Sequence, residues 1–134
     1  MVTGMGMSTD LPGDASSAAA ARRIVEAAVP AGQLRQDALI VVSELAANAW
    51  RHGDPPFHLV VQGDVDGRAL GSLQISISNR QRAASPSIPE RTAGGRPDGL
   101  GGRGIDLVAT VAQDWGWHVD GETMTVWARL VARP

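Results

Sequence analysis

Three polar side chains in one stretch are spaced so that they can act together on a ligand. Glu44, Asn48 and His52 recur every four residues, so in a helix they lie on one face, one turn above another. Burying a carboxylate, an amide and an imidazole is costly unless they meet a ligand, a metal ion or water. Facing a pocket, this stripe can hold a hydrated magnesium ion and activate a hydroxyl group. The alternative interpretation is a solvated helix face.

A glycine-rich run at residues 98–104 is the second segment that can do chemistry. Glycine lets backbone N–H groups approach an anion closely, and the N-terminus of a following helix favours negative charge. The run therefore predicts a phosphate-binding loop, and a flexible connection is its alternative interpretation. A Rossmann dinucleotide fingerprint is excluded because a loop, not a strand, precedes the glycines. The residues concerned are Gly99, Gly101, Gly102, Arg103 and Gly104.

The composition narrows the chemistry further. The chain has 134 residues, of which 43% are hydrophobic, and this fits one globular domain. All 12 basic residues are arginine, which excludes a Walker lysine and a lysine Schiff base. The absence of cysteine excludes disulfides and thiolate catalysis. A net charge of -2 and no long apolar run predict a soluble cytoplasmic protein that binds neither nucleic acid nor membrane.

Hydrophobic periodicity predicts the elements that must position these residues. Residues 1–15 predict a flexible lead-in, and residues 16–134 predict the domain itself. The order of elements predicts an α+β fold, a two-layer sandwich with helices packed on one face of a mixed β-sheet. A connection at about 80–101 is long enough to indicate a functional loop. Helices are expected at about 16–29, 33–51 and 102–112, and strands at 57–65, 70–78, 114–119 and 123–131.

The two polar segments together resemble the GHKL superfamily of ATP-binding domains, which includes DNA gyrase and the histidine kinases. The resemblance rests on SELxxNAxxHG at residues 43–53 and GRGxxLV at 102–108, and it covers about residues 16–131. The stand-alone branch of anti-sigma factor serine/threonine kinases is the most similar. The resemblance implies a Bergerat-type fold, with ATP and Mg²⁺ as cofactors.

The resemblance also implies a role for each matching residue. Asn48 would coordinate the magnesium ion that bridges the phosphates, and Glu44 would act as the general base on the attacking hydroxyl. His52 and Gly53 would line the nucleotide site, and Thr125 would lie near the adenine. The lid over the phosphates would contain Gly99, Gly101, Gly102, Arg103 and Gly104.

The end of the second strand departs from the family pattern. The family usually has an aspartate there that accepts a hydrogen bond from the adenine amino group, whereas this chain has Asn79. An amide oxygen can accept the same bond, but without charge assistance the bond is weaker. The usual glycine two residues later is Gln81. These changes put adenine selectivity and ATP affinity in question.

Two functions from different classes follow. The first is an enzyme, an ATP-dependent serine/threonine kinase that phosphorylates an anti-anti-sigma (STAS-type) protein and sequesters a sigma factor. The second is a module of the same fold that sequesters partners and binds nucleotide weakly. A sensor histidine kinase is disfavoured because it would need an upstream phospho-acceptor histidine, and no histidine precedes His52. A metal hydrolase is disfavoured because His52 and His58 do not have a recognisable spacing of metal ligands. The resemblance further implies a homodimer.

Overall fold

The computed structural model describes residues 4–67, 69–81 and 104–132. Over these residues the chain is an α+β fold in which helices pack on a five-stranded sheet, as predicted from the order of elements. No helix among the described residues is both long and apolar enough to cross a membrane. The elements are β1 (Gly4–Leu11), α1 (Ser17–Ala28), α2 (Gln33–His52), β2 (Gly53–Asp66), β3 (Ala69–Gln81), α3 (Gly104–Val111), β4 (Asp114–Asp120) and β5 (Thr123–Val131).

The sheet has the strand order β1-β2-β3-β5-β4. Every neighbouring pair is antiparallel, so the prediction of a mixed sheet is wrong. Two helices joined through residues 29–32 separate β1 from β2, and such a pair can return the chain to the sheet in the opposite direction. Two hairpins complete the sheet: β2 and β3 are joined at Gly67, and β4 and β5 at Gly121. The φ angles of these glycines, 67° and 62°, are readily adopted by glycine.

The predicted flexible lead-in over residues 1–15 is also corrected. Residues 4–11 form edge strand β1, which pairs with β2 in a register that sets Met7 opposite Val61. Met5 and Met7 pack against the core, and Leu11 is buried. Glycine and methionine carry little strand propensity, so this strand depends on pairing with β2 and is not recognisable from local composition.

Each strand presents one face to the helices and one away from them, here called the inner and outer faces. Residues directly opposite in an antiparallel pair lie on the same face, so the register assigns every position. In β3 the inner residues are Leu73, Ile75 and Ile77, all buried. The next inner position along β3 is Asn79, which is therefore aimed at the helical layer. Outer positions of β3, such as Gln74 and Ser78, are polar and at most half-buried.

The helices match their predicted positions closely. Helix α2 buries Val41, Leu45 and Ala49 against the sheet, and α1 packs on α2. At the start of α1 the Ser16 side chain makes no capping bond. Instead, the Ser16 hydroxyl and backbone N–H donate to Asp14, and these bonds lower the pKa of that carboxyl. Residues 14–16 therefore form a turn before the helix, closed by these two hydrogen bonds to the Asp14 carboxylate.

Candidate functional site

The three polar residues of α2 lie on one side of the helix but at different depths. Glu44 and His52 are half-buried, whereas Asn48 is only 5% exposed. A spacing of four residues rotates the stripe by about 40° per step, so it runs from the rim of the helix face toward the sheet. The stripe is therefore not a solvated helix face, because its middle residue is buried.

His52 carries a buried polar atom that is not satisfied. Its Nε2 has no hydrogen-bond partner among the described residues. A buried donor or acceptor without a partner costs on the order of 1–3 kcal/mol, and such groups are rare unless a ligand, ion or water completes them. At the C-terminal end of α2 this atom is therefore open to a ligand, an ion or a water molecule.

Gly53 joins this end of the helix to the end of β3. It is the C-cap residue of α2 and the first residue of β2. A Cβ at this position would lie 2.0 Å from Nδ2 and 2.3 Å from Cγ of Asn79. Only glycine leaves room for the Asn79 amide, so the helix that carries Asn48 and the strand end that carries Asn79 meet at this contact.

The Asn79 side chain is buried and held in one orientation. It is 4% exposed, and its Nδ2 donates to the backbone carbonyl of Arg80 at 2.9 Å. A carbonyl oxygen can only accept, so the amide nitrogen must face it and a flipped amide would set two oxygens together. The Oδ1 atom is consequently the group that Asn79 offers as an acceptor.

Gln81 fixes the end of β3 to the turn between β4 and β5. Its backbone N–H donates to the carbonyl of Glu122 at 2.7 Å, and its Nε2 lies 3.4 Å from the carbonyl oxygen of Gly121. Gln81 also pairs with Gly53 across β2 and β3. The substitution for the family glycine thus adds a structural contact beside the site, which the sequence did not reveal.

Thr125, predicted to lie near the adenine, does not share a face with Asn79. Its neighbours across the sheet are Ser78 in β3 and His118 in β4, which are outer-face positions. The inner neighbour of Asn79 in β5 is Met124, which is 3% exposed. The buried positions of β5 are Met124, Val126, Ala128 and Leu130, which alternate with the outer positions as expected for a strand.

The predicted lid is described only where it meets α3. Gly104 is the first residue of that helix, and Val108 in α3 is buried. Helix α3 packs on α2, the helix that carries Asn48. Four predicted lid residues, Gly99, Gly101, Gly102 and Arg103, lie outside the described residues.

The donors at the site fit a magnesium nucleotide better than a metal held by protein alone. Among the described residues, no group of three or more His, Cys, Asp or Glu side chains could hold a metal ion. Magnesium commonly uses only one or two protein ligands and takes the rest from phosphates and water. The amide oxygen of Asn48 is a suitable hard ligand. His58, on the neighbouring strand β2, contacts Asp10 through its Nδ1 atom at 2.7 Å.

Sequence reasoning also missed a buried acid on α2. Asp37 is 5% exposed and accepts a hydrogen bond from Gln33 Nε2 at 2.9 Å. It precedes Glu44 by seven residues and so lies about 10 Å away along the same helix face. The seven-residue spacing was a signal that could have identified Asp37 as a second acid on this side of α2.

Together, these features describe an α+β domain with a polar candidate site between α2 and the end of β3. The chain belongs to the histidine kinase-like ATPase domain family, which matches residues 11–130. It is therefore an ATP-binding domain of the GHKL type. No curated protein shows significant similarity to the chain.

Proposed function

We propose that the protein is an anti-sigma factor serine/threonine kinase. It transfers the γ-phosphoryl group of ATP to a hydroxyl of an anti-anti-sigma (STAS-type) partner, and otherwise holds a sigma factor away from RNA polymerase. One observation carries the proposal: Glu44 is half-buried, one helical turn from the buried Asn48. A carboxylate placed there can reach a hydroxyl presented from outside while Asn48 reaches the phosphates.

The side chains divide the work as follows. Asn48 would hold a magnesium ion, which would supply charge neutralisation at the phosphates. Glu44 accepts the proton of the attacking hydroxyl while the oxygen of that hydroxyl bonds to the γ-phosphorus. The bond from that phosphorus to the bridging oxygen breaks, and ADP leaves. Asn79 offers its Oδ1 to the adenine amino group, and the unsatisfied Nε2 of His52 meets the nucleotide near Gly53.

A partner-sequestering module with weak nucleotide binding is the second candidate. Its support is Asn79, since a neutral amide forms a weaker bond to the adenine amino group than a carboxylate does. In this alternative the chain still binds a sigma factor or its antagonist but transfers no phosphate. A cytoplasmic location is part of both proposals, because ATP and RNA polymerase are both found in the cytoplasm. The homodimer that the family resemblance implies is also part of both.

Phosphotransfer from labelled ATP to a purified STAS-type protein tests the enzyme proposal. Glu44→Gln keeps the size of the side chain and removes its basicity, so transfer should fall by about 10²- to 10⁴-fold. Calorimetric titration should show ATP affinity unchanged within about twofold. Glu26→Gln is the matched control, because Glu26 is an exposed glutamate on α1, and it should leave both measurements unchanged.

The two measurements separate the candidate functions. Transfer that is lost in Glu44→Gln but kept in Glu26→Gln supports the kinase. Transfer that persists in Glu44→Gln removes Glu44 as the base. ATP binding by the unmodified protein with no transfer to any STAS-type protein tested favours the module, and no ATP binding at millimolar concentration contradicts the roles given to Asn48 and Asn79.

A further inference from the structure

Strand β1 is an open edge of the sheet. Among the described residues it pairs only with β2, so the backbone groups on its other side face away from the sheet. Natural edges are usually protected by charges, proline or bulges. The β1 sequence Gly4–Leu11 has a single charged residue, Asp10 near its end, and a Cβ at Gly6 would meet nothing within 4 Å. By contrast, the other edge strand, β4, begins and ends with an aspartate.

An apolar groove runs along the inner side of this edge. It has a volume of about 580 Å³ and lies between Met7 of β1 and one face of α1. The helical residues recur with the spacing of a single α-helix face. Ile24 and Ala28 are half-buried and Ala27 is exposed. The groove is lined by Met7, Ala20, Arg23, Ile24, Ala27 and Ala28.

An extended segment is the occupant that satisfies both features. A strand added beside β1 would bond to its free backbone groups, and alternate side chains would enter the groove under α1. A helix laid in the groove would leave the edge of β1 unpaired. The combination of an open edge with a flanking apolar helix is the arrangement through which β-augmentation domains bind peptides.

The charge in the groove distinguishes between a second copy of the chain and a different partner. Arg23 is exposed, lies midway along the groove-lining face of α1, and forms no ion pair with a described residue. A twofold dimer through this groove would be isologous and would offer Arg23 no acidic partner from the groove, because Arg23 is the only charged residue among the described residues that line it. An acidic side chain on a different partner would instead be attracted to Arg23.

We propose that β1 and α1 form a docking groove for an extended segment of another protein. That segment presents apolar side chains to the groove on either side of an acidic one, which pairs with Arg23. The site is independent of the nucleotide site and of the catalytic proposal, since none of its residues belongs to the ATP-binding face.

A labelled peptide tests the proposal on the full chain. The probe is the blocked peptide Thr-Val-Thr-Glu-Thr-Val-Thr, whose valines and glutamate share one face in a strand. Its lysine counterpart, Thr-Val-Thr-Lys-Thr-Val-Thr, changes only the central charge. Fluorescence anisotropy should show the glutamate peptide binding about fivefold more tightly. Hydrogen exchange should slow at amides of residues 4–11 when that peptide is bound.

Two charge reversals on α1 locate the effect. Arg23→Glu should reverse the preference between the two peptides. Arg22→Glu makes the same change in net charge at an exposed neighbour that does not line the groove, and it should leave the preference unchanged within about twofold.

Three results would overturn the proposal. The first is no binding of either peptide at millimolar concentration. The second is an equal response to the two charge reversals, which would mean that only overall charge matters. The third is concentration-dependent self-association that slows exchange at residues 4–11, which would make a second copy of the chain the occupant.

Discussion

Gly53 and Asn79 are packed so closely that the Asn79 amide occupies the space that a side chain on Gly53 would need. A Cβ on Gly53 would lie 2.0 Å from Asn79 Nδ2. Because Gly53 follows directly from α2 and Asn79 lies near the end of β3, this contact sets the distance between the helix that carries Asn48 and that end of the strand. The glycine of the sequence motif is thus a spacing residue between α2 and β3.

Gly53→Ala should destabilise the protein and impair ATP binding together. The added methyl group must displace Asn79, which is 4% exposed, and overpacking of this kind costs about 1–3 kcal/mol. Urea unfolding gives the loss of stability, and calorimetric titration gives the loss of affinity. Gly6→Ala is the control, because a Cβ at Gly6 meets nothing within 4 Å, and it should change neither. A fully stable Gly53→Ala variant with normal ATP affinity would contradict the close contact.

Asn79→Asp should destabilise the free protein even though it restores the family residue. The carboxylate would lose the donor that now bonds the Arg80 carbonyl and would face that oxygen in a buried position, at a cost of about 1–3 kcal/mol. Burial and the carbonyl should both raise the pKa of the new carboxyl in the folded state. Its neutral form is therefore tolerated at low pH, and stability is lost as the pH rises through the raised pKa.

Urea unfolding at pH 4 and pH 7 measures this difference. The destabilisation of Asn79→Asp relative to the unmodified protein should be larger at pH 7. Gln74→Glu makes the same amide-to-carboxylate change at an exposed outer position of the same strand and should show no such pH dependence. An equal destabilisation by Asn79→Asp at pH 4 and at pH 7 would mean that the Asn79 amide is not held by the Arg80 carbonyl.

Much of the fold followed from periodicity. The α2 stripe of Val41, Leu45 and Ala49 and the alternation of Leu73, Ile75 and Ile77 are strong local signals, and both elements were confirmed within a few residues. Strand β1 was missed because its Gly and Met residues are ordered by pairing with β2. The purely antiparallel sheet was missed because strand direction depends on how the helices return the chain.

The relative positions of the candidate site residues were predictable where one helix holds several of them. Glu44, Asn48 and His52 lie on one helix, so their spacing was sufficient to place them. The orientation of Asn79 was not predictable, because it depends on the Arg80 carbonyl and on Gly53, which lies in another strand. The face on which Thr125 lies was not predictable either, because it depends on the pairing that sets Thr125 opposite Ser78 and Met124 opposite Asn79.

Thr125→Val should leave ATP affinity unchanged within about twofold. The side chain lies on the outer face, opposite Ser78 and His118, so the hydroxyl it loses is away from the nucleotide. Calorimetric titration with ATP and Mg²⁺ provides the measurement. A loss of tenfold or more, with the fold intact by circular dichroism, would return Thr125 to the nucleotide site.

Asn48→Ala should abolish magnesium-dependent ATP binding with little change in the rest of the site. Asn48 is 5% exposed on α2, and alanine is the best helix former, so the helix should persist. Titration with ATP should show affinity that no longer responds to magnesium, whereas the unmodified protein should bind more tightly with the ion. Ser43→Ala on the same helix is the control, because the Ser43 hydroxyl donates a hydrogen bond to the backbone carbonyl of Leu39 at 2.7 Å. Unaltered magnesium dependence in Asn48→Ala would remove this residue from the metal site.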